Sequence, residues 1–199
     1  MKFSFFIVVL VLLISGCSTT NPSITEYRIN TNLEQNDSKL NSCLDKSLKV
    51  AEAFSSSSLM SLDMNYATGD NKQFTYTQSQ WSLSPHHAIT SEMLNLLRDT
   101  NLFKTVQISK SRTRNDMILE TSIDDFMQYF QEGENRSFAN VRISLTLVDA
   151  KSSKAIATKT FGSRVNCDTL DAEGGVIALN SALEDVLTQS SVWLKEVCR

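Results

Sequence analysis

Proline and histidine are scarce, two of each in 199 residues, and glycine numbers only six. So little proline and glycine leaves no long linker, and no internal repeat is present. The two histidines are adjacent, His86 and His87. Neighbours on a helix point about 100° apart and make a poor joint metal site, so they read as solvated residues of a first helical turn. There is no Gly-x-Ser-x-Gly elbow and no glycine-rich loop of phosphate-cradling spacing. Asp124-Asp125 with Glu120 is the nearest approach to a carboxylate pair, but adjacent strand residues face opposite sides, so a solvated edge or turn is expected. Without a nucleophile and base, a metal shell or a phosphate cradle, the expectation is a non-enzyme with no catalytic residue, cofactor or metal. Basic residues number 19 against 22 acidic ones, which is no footprint for nucleic acid.

Long apolar runs are absent except for one. Lys2 precedes Phe3 to Ile14, a short positive segment followed by about a dozen mostly apolar residues, too few for a stop-transfer helix and characteristic of an export signal. Ile14-Ser15-Gly16-Cys17 then resembles the lipobox of bacterial lipoproteins. Cleavage is expected after Gly16, because the peptidase needs small side chains beside the bond, and Cys17 is the expected lipidation site, because only a thiol accepts the diacylglyceryl group. Acyl chains give about 0.8 kcal/mol per buried methylene, so two or more anchor stably. Ser18 follows the cysteine, and by similarity to sorting in didermic bacteria it points to the inner leaflet of the outer membrane, since aspartate there is the usual inner-membrane retention signal. Residues 1-16 are thus read as signal peptide, 17-23 as a lipidated tether reaching about 20 Å, and 24-199 as one domain. Loss of 16 residues leaves 183, with 18 basic against 22 acidic side chains, a net charge of −4.

Three cysteines remain for folding chemistry, Cys43, Cys167 and Cys198. An oxidising compartment allows a disulfide, and the odd number leaves one thiol over. Cys167 and Cys198 flank an expected helix about 40 Å long, far beyond the roughly 7 Å between Cα atoms that a disulfide tolerates. Cys43 can bridge either one, with Cys198 favoured and Cys167 the alternative; three reduced thiols are the remaining reading.

Weak strand character runs over Ile24 to Asn30, followed by a polar connection over Thr31 to Asn41. Short strands are expected over Leu48 to Phe54 and Leu59 to Ala67, with a turn at Thr68 to Asn71 and a returning strand at Phe74 to Thr77. Ser84-Pro85 opens a helix, with serine at the N-cap and proline at the first position; Ile89, Met93, Leu96 and Leu97 share its apolar stripe, and it ends near Thr100-Asn101. Leu102, Phe103, Val106 and Ile108 lead into a strand. The period then becomes two: Met117, Leu119, Thr121 and Ile123, and next Val141, Ile143, Leu145 and Leu147, each define one face, and Ala155 to Val165 pairs beside them through the turn at Ala150 to Ser153. An amphipathic helix from about Leu170 to Val197 closes the chain, with Gly174-Gly175 near its start loosening the first turn. Phe126, Met127, Tyr129 and Phe130 end a strand; buried rim packing is the plain account, and an exposed apolar patch for a partner or a lipid tail is the sharper one.

Trp81-Ser82-Leu83-Ser84-Pro85, the helix ending Leu96-Leu97, and Leu102-Phe103-Lys104-Thr105-Val106 together resemble the signature of the ABC-type transport auxiliary lipoprotein family. Leu119 to Phe126, Val148-Asp149-Ala150 with Ala155 to Phe161, and the helix carrying Ala178 to Leu183 and ending in Trp193-Leu194 are similar to that family's later strands, hairpin and closing helix. The likeness covers Leu48 to Leu194, while the segment between Tyr27 and Leu48 matches poorly. It implies an α/β (α+β-like) fold, a mixed, largely antiparallel sheet packed by two main helices in an anticodon-binding-like arrangement of three layers or two. It also implies a non-enzymatic lipoprotein, like the paraquat-inducible protein C group, that serves an ABC permease, its ATPase and an MCE-domain periplasmic protein in lipid traffic. Phospholipid and further copies of the chain are the other partners it suggests. The alternative is a structural or assembly-factor lipoprotein of another outer-membrane machine.

Overall fold

The computed structural model describes residues 22–33, 43–69, 71–133 and 135–198. Cys17, Gly16, Ser18 and most of the tether therefore lie outside the described residues, as does most of the polar connection between Thr31 and Asn41.

The strongest alternation in the sequence builds the centre of the sheet. Strands β7 (Met117–Phe130), β8 (Ser137–Asp149) and β9 (Lys154–Asn166) form an antiparallel meander. Ala139, Val141, Ile143, Leu145 and Leu147 of β8 are wholly buried, and Leu119, Thr121 and Ile123 share their face. The intervening β8 residues are polar and partly exposed, with Ser144 and Thr146 bonded through their hydroxyls to Thr160 and Thr158 of β9. One face thus enters the core while the other meets water.

The far edge of β7 is shared by three short parallel strands in tandem. β2 (Cys43–Val50) pairs along Met117 to Leu119, β3 (Phe54–Ser55) along Ser122 and Ile123, and β4 (Asp63–Thr68) along Gln128 to Phe130. β4 carries β5 (Lys72–Trp81) as an antiparallel hairpin, and β5 carries β1 (Thr25–Tyr27) in parallel. On the other side of β2 lies β6 (Phe103–Ile108), also parallel. Among the described residues five of the eight ladders are parallel, although the long ones are antiparallel.

Both helices cover the apolar face and touch each other, giving two layers. Helix α1 (Pro85–Asp99) has Ser84 at its cap and Pro85 in its first turn, and it buries Ile89, Met93 and Leu97 completely. Ser84 is itself buried and its hydroxyl makes no capping bond; its carbonyl accepts from the His87 and Ala88 N–H groups. Helix α2 (Ala172–Val197) starts two residues later than the stripe suggests, because Asp171 is its cap: the carboxylate accepts from the Gly174 N–H at 2.9 Å and the Thr169 hydroxyl at 2.7 Å. Leu179, Leu183, Val186, Leu187, Trp193 and Leu194 then dock on the meander. Gly174 and Gly175 allow that helix to approach closely: a Cβ on Gly175 would stand 2.1 Å from Gln128 Oε1 of β7, and one on Gly174 would stand 2.5 Å from the Thr169 carbonyl. Gly175 permits contact with the sheet and Gly174 with the connection that leads into the helix, rather than loosening the turn.

Several strand limits differ from the sequence expectation. β2 begins at Cys43 instead of Leu48, through polar residues and a register shift between Cys43 and Ser47. Leu59 belongs to a 3-10 turn over Ser57–Leu59, so β4 starts only at Asp63. β5 is ten residues long because it is paired on both sides. A disulfide joins Cys43 at the start of β2 to Cys198 just beyond α2, with Cα atoms 5.4 Å apart, while Cys167 is a half-buried free thiol.

Candidate functional site

The tandem arrangement leaves an opening along β7. Between Ile123, the last partner of β3, and Gln128, the first partner of β4, no neighbour among the described residues pairs with that edge. At this point β7 also bulges: Ile123 faces Ile143 but Asp125 faces Arg142, so Asp124 is the extra residue. The strand period slips by one, and the next buried apolar residue after Ile123 is Phe126, three positions on.

The bulge corrects the expectation that adjacent aspartates face opposite sides. Asp124 and Asp125 both leave the core face and line one open groove of about 500 Å³, with Met127, Tyr129 and Arg142 beside them and the turn at Ser56 to Leu59 opposite. Asp124 accepts from the Ser144 hydroxyl at 2.6 Å and the Ser122 hydroxyl at 3.0 Å. Asp125 accepts from the Tyr129 hydroxyl at 2.8 Å and the Asn140 amide at 2.7 Å. Burial pushes the Asp125 carboxyl above the usual carboxylate range, against the pull of those donors and of the Phe126 N–H. Burial, together with the hydrogen bond to Asp125, also raises the Tyr129 phenol.

The suggested partner patch is divided by this geometry. Phe126 is 3% exposed and packs on Trp81, with ring centres 5.8 Å apart, so it belongs to the core and not to an exposed patch. Phe130 meets the edge of Tyr66 at 5.3 Å. Met127 and Tyr129 face the groove, and the Tyr129 ring stacks on Phe138, which the Arg164 guanidinium covers at 3.3 Å. Arg142 and the Ser56 to Leu59 turn read from the sequence as a polar strand position and a polar loop, not as parts of a site. The three-residue step from Ile123 to Phe126 is the signal that could have exposed the bulge.

A second grouping also departs from expectation. His86 is buried, not solvated, and its ring lies 4.0 Å from that of His87. Both rings approach one carboxylate oxygen, Glu52 Oε1, at 3.6 Å from His86 Nε2 and 2.9 Å from His87 Nδ1. The expected 100° divergence fails because Glu52 arrives from the connection after β2 and both rings turn towards it.

The family model described as the ABC-type transport auxiliary lipoprotein component matches residues 33–190. Among solved structures, protein XCC0632 of Xanthomonas campestris, from the family DUF330, is 17% identical, with a TM-score of 0.78 over 87% of this chain and 95% of that one. A further uncharacterised protein is 11% identical, with a TM-score of 0.63 over 88% and 99% of the two chains. The hypothetical protein CT253 of Chlamydia trachomatis is 7% identical, with a TM-score of 0.51 over 77% and 97%. At these identities the likeness is one of fold. No curated protein matches the chain.

Proposed function

Because the chain belongs to the ABC-type transport auxiliary lipoprotein family, we propose that it is the non-enzymatic docking adaptor of an ABC/MCE-type lipid transport system. Membership carries the coarser part, a lipoprotein held in the cell envelope that serves an ABC transporter. The finer part is our reading: Cys17 anchors the domain at the inner leaflet of the outer membrane, and the domain docks the periplasmic MCE component there.

The supporting observation is the groove beside the β7 bulge. It opens on a stretch of strand edge with which no neighbour among the described residues pairs, and it joins two carboxylates, a guanidinium and the Met127 and Tyr129 side chains. Such a mixed rim suits a protein surface carrying charges of both signs, and unpaired strand edges are natural places for another chain to add.

The test is mass spectrometry of what copurifies with the full-length lipoprotein from gently crosslinked, detergent-solubilised membranes. The expected result is an MCE-domain protein with its permease and ATPase, reduced at least tenfold in an Asp124→Lys, Arg142→Glu variant that keeps the same membrane anchorage. Dominance of a barrel-assembly or secretion protein would replace the transport reading with that of an assembly factor. Sedimentation with the inner membrane would overturn the outer-membrane placement.

A further inference from the structure

We infer that Glu52, His86 and His87 form a binding site for one divalent late first-row transition-metal ion, of which Zn2+ is the natural probe. Three features carry this inference. The first is the spacing of the donors. Nitrogen and oxygen ligands about 2.0–2.1 Å from a tetrahedral zinc lie about 3.3–3.4 Å from one another. Here the carboxylate oxygen is 3.6 Å from one imidazole nitrogen and 2.9 Å from the other, and all three ligand atoms lie within 4.8 Å of one another. Small rotations suffice to seat an ion, and two imidazoles with a carboxylate suit zinc, copper or nickel.

The second is the tautomer that the surroundings impose on His86. Its Nδ1 lies 3.2 Å from the carbonyl oxygen of Leu59, which can only accept, so Nδ1 carries the hydrogen. Its other nitrogen, Nε2, then lies 3.6 Å from Glu52 Oε1 on a side chain that is only 11% exposed. An Nδ1–H bonded to a backbone carbonyl is also the usual support of a metal-binding histidine, which it orients for coordination through Nε2.

The third is that the site is braced before any ion arrives. The Ala51 N–H donates to the Leu119 carbonyl at 2.9 Å, and the Ala53 N–H donates to Thr90 Oγ1 at 2.9 Å. The Thr90 hydroxyl in turn donates to the His86 carbonyl at 2.6 Å. Glu52 is thus held on both sides and pinned to the helical turn that carries both histidines. Glu52 and His87 are about half exposed, with side-chain exposures of 42% and 45%, which leaves a path and a fourth coordination position for water.

Zinc titration of the chelator-treated, full-length lipoprotein in detergent micelles tests this. The expected result is one saturable Zn2+ per chain, bound at least tenfold more weakly by His87→Ala and by Glu52→Gln. Both changes are at solvent-facing side chains, and unchanged circular dichroism would verify the fold. Zinc-edge X-ray absorption should show two imidazole nitrogens and an oxygen near 2.0–2.1 Å. Absence of saturable binding, or one zinc per chain bound equally by both variants, overturns the inference. A His86 ring whose NMR signals zinc leaves unmoved overturns it too.

Discussion

Breaking the Cys43–Cys198 bond should destabilise the domain by about 2 to 5 kcal/mol without changing its fold. The bond closes a loop with a sequence separation of 155 residues. The chain-entropy relation gives about 5 kcal/mol for a loop of that length, an upper figure because unfolded chains retain some compaction. The native contacts survive the loss: Leu48 and Val50 of β2, and Trp193 and Leu194 of α2, are buried by their own packing. The stabilisation therefore acts on the unfolded chain. At about 2–4 °C per kcal/mol for a domain of this size, the melting temperature should fall by about 4 to 20 °C. The assay is thermal and urea unfolding, followed by circular dichroism, of the oxidised protein and of Cys43→Ala with Cys198→Ala, with Cys167→Ala as the control. The urea slope should also rise in the double variant, since its unfolded state expands further. A shift below about 2 °C, or an equal shift in the Cys167→Ala control, would refute the reasoning.

In Gly175→Ala the new methyl meets a Gln128 amide that is 1% exposed and bonded to Tyr76 and Ser137, an overpacking cost of about 1–3 kcal/mol. Set against a gain of about 1 kcal/mol in helix propensity, the net loss in urea unfolding should be up to about 2 kcal/mol, and a net stabilisation would contradict the close approach. Asp171→Ala should cost about 1 kcal/mol as a lost cap. The Gly174 N–H and the Thr169 hydroxyl hold that carboxyl below its usual range, so its contribution is present above the unfolded carboxylate pKa and lost as pH falls through the lowered folded value; the gap between wild type and variant should close in acid. Asp125→Asn should act with the opposite sign. Burial raises the folded pKa above 3.8, so protonation favours the native state, and stability present below the unfolded value is lost as pH rises through the folded one. The variant should melt higher than wild type at pH 7, and that advantage should vanish in scans below about pH 4.

What was legible and what was not divide along one physical line. The β7 to β9 meander and both helices bury their residues at fixed periods, and periods can be read one residue at a time. The β1 to β5 half can be read that way only in part: β4 and β5 pair as a hairpin on either side of the expected turn, but β3 is two residues long and pairs in parallel with β7 far along the chain, as does the end of β4. The site lies where these two regimes meet. Three strands share one edge of β7 and do not fill it, so the groove arises from an omission in pairing that no local pattern records. The segment from Ala51 to Leu62, which pairs with that edge only through β3, carries Glu52 across to α1 and sets Leu59 so that its carbonyl bonds His86 while the residue lines the groove. His86 looked solvated because helical geometry alone places it; the connection that buries it comes from far upstream. The aspartate pair departs from simple alternation for the related reason that a bulge shifts the register within one strand. Both departures thus concern residues whose neighbours are fixed by backbone pairing rather than by their own chemistry, and Leu59 ties the two places together physically. A variant that reshapes the turn at Ser56 to Leu59 would disturb both, whereas Asp124→Lys with Arg142→Glu and His87→Ala act on one each.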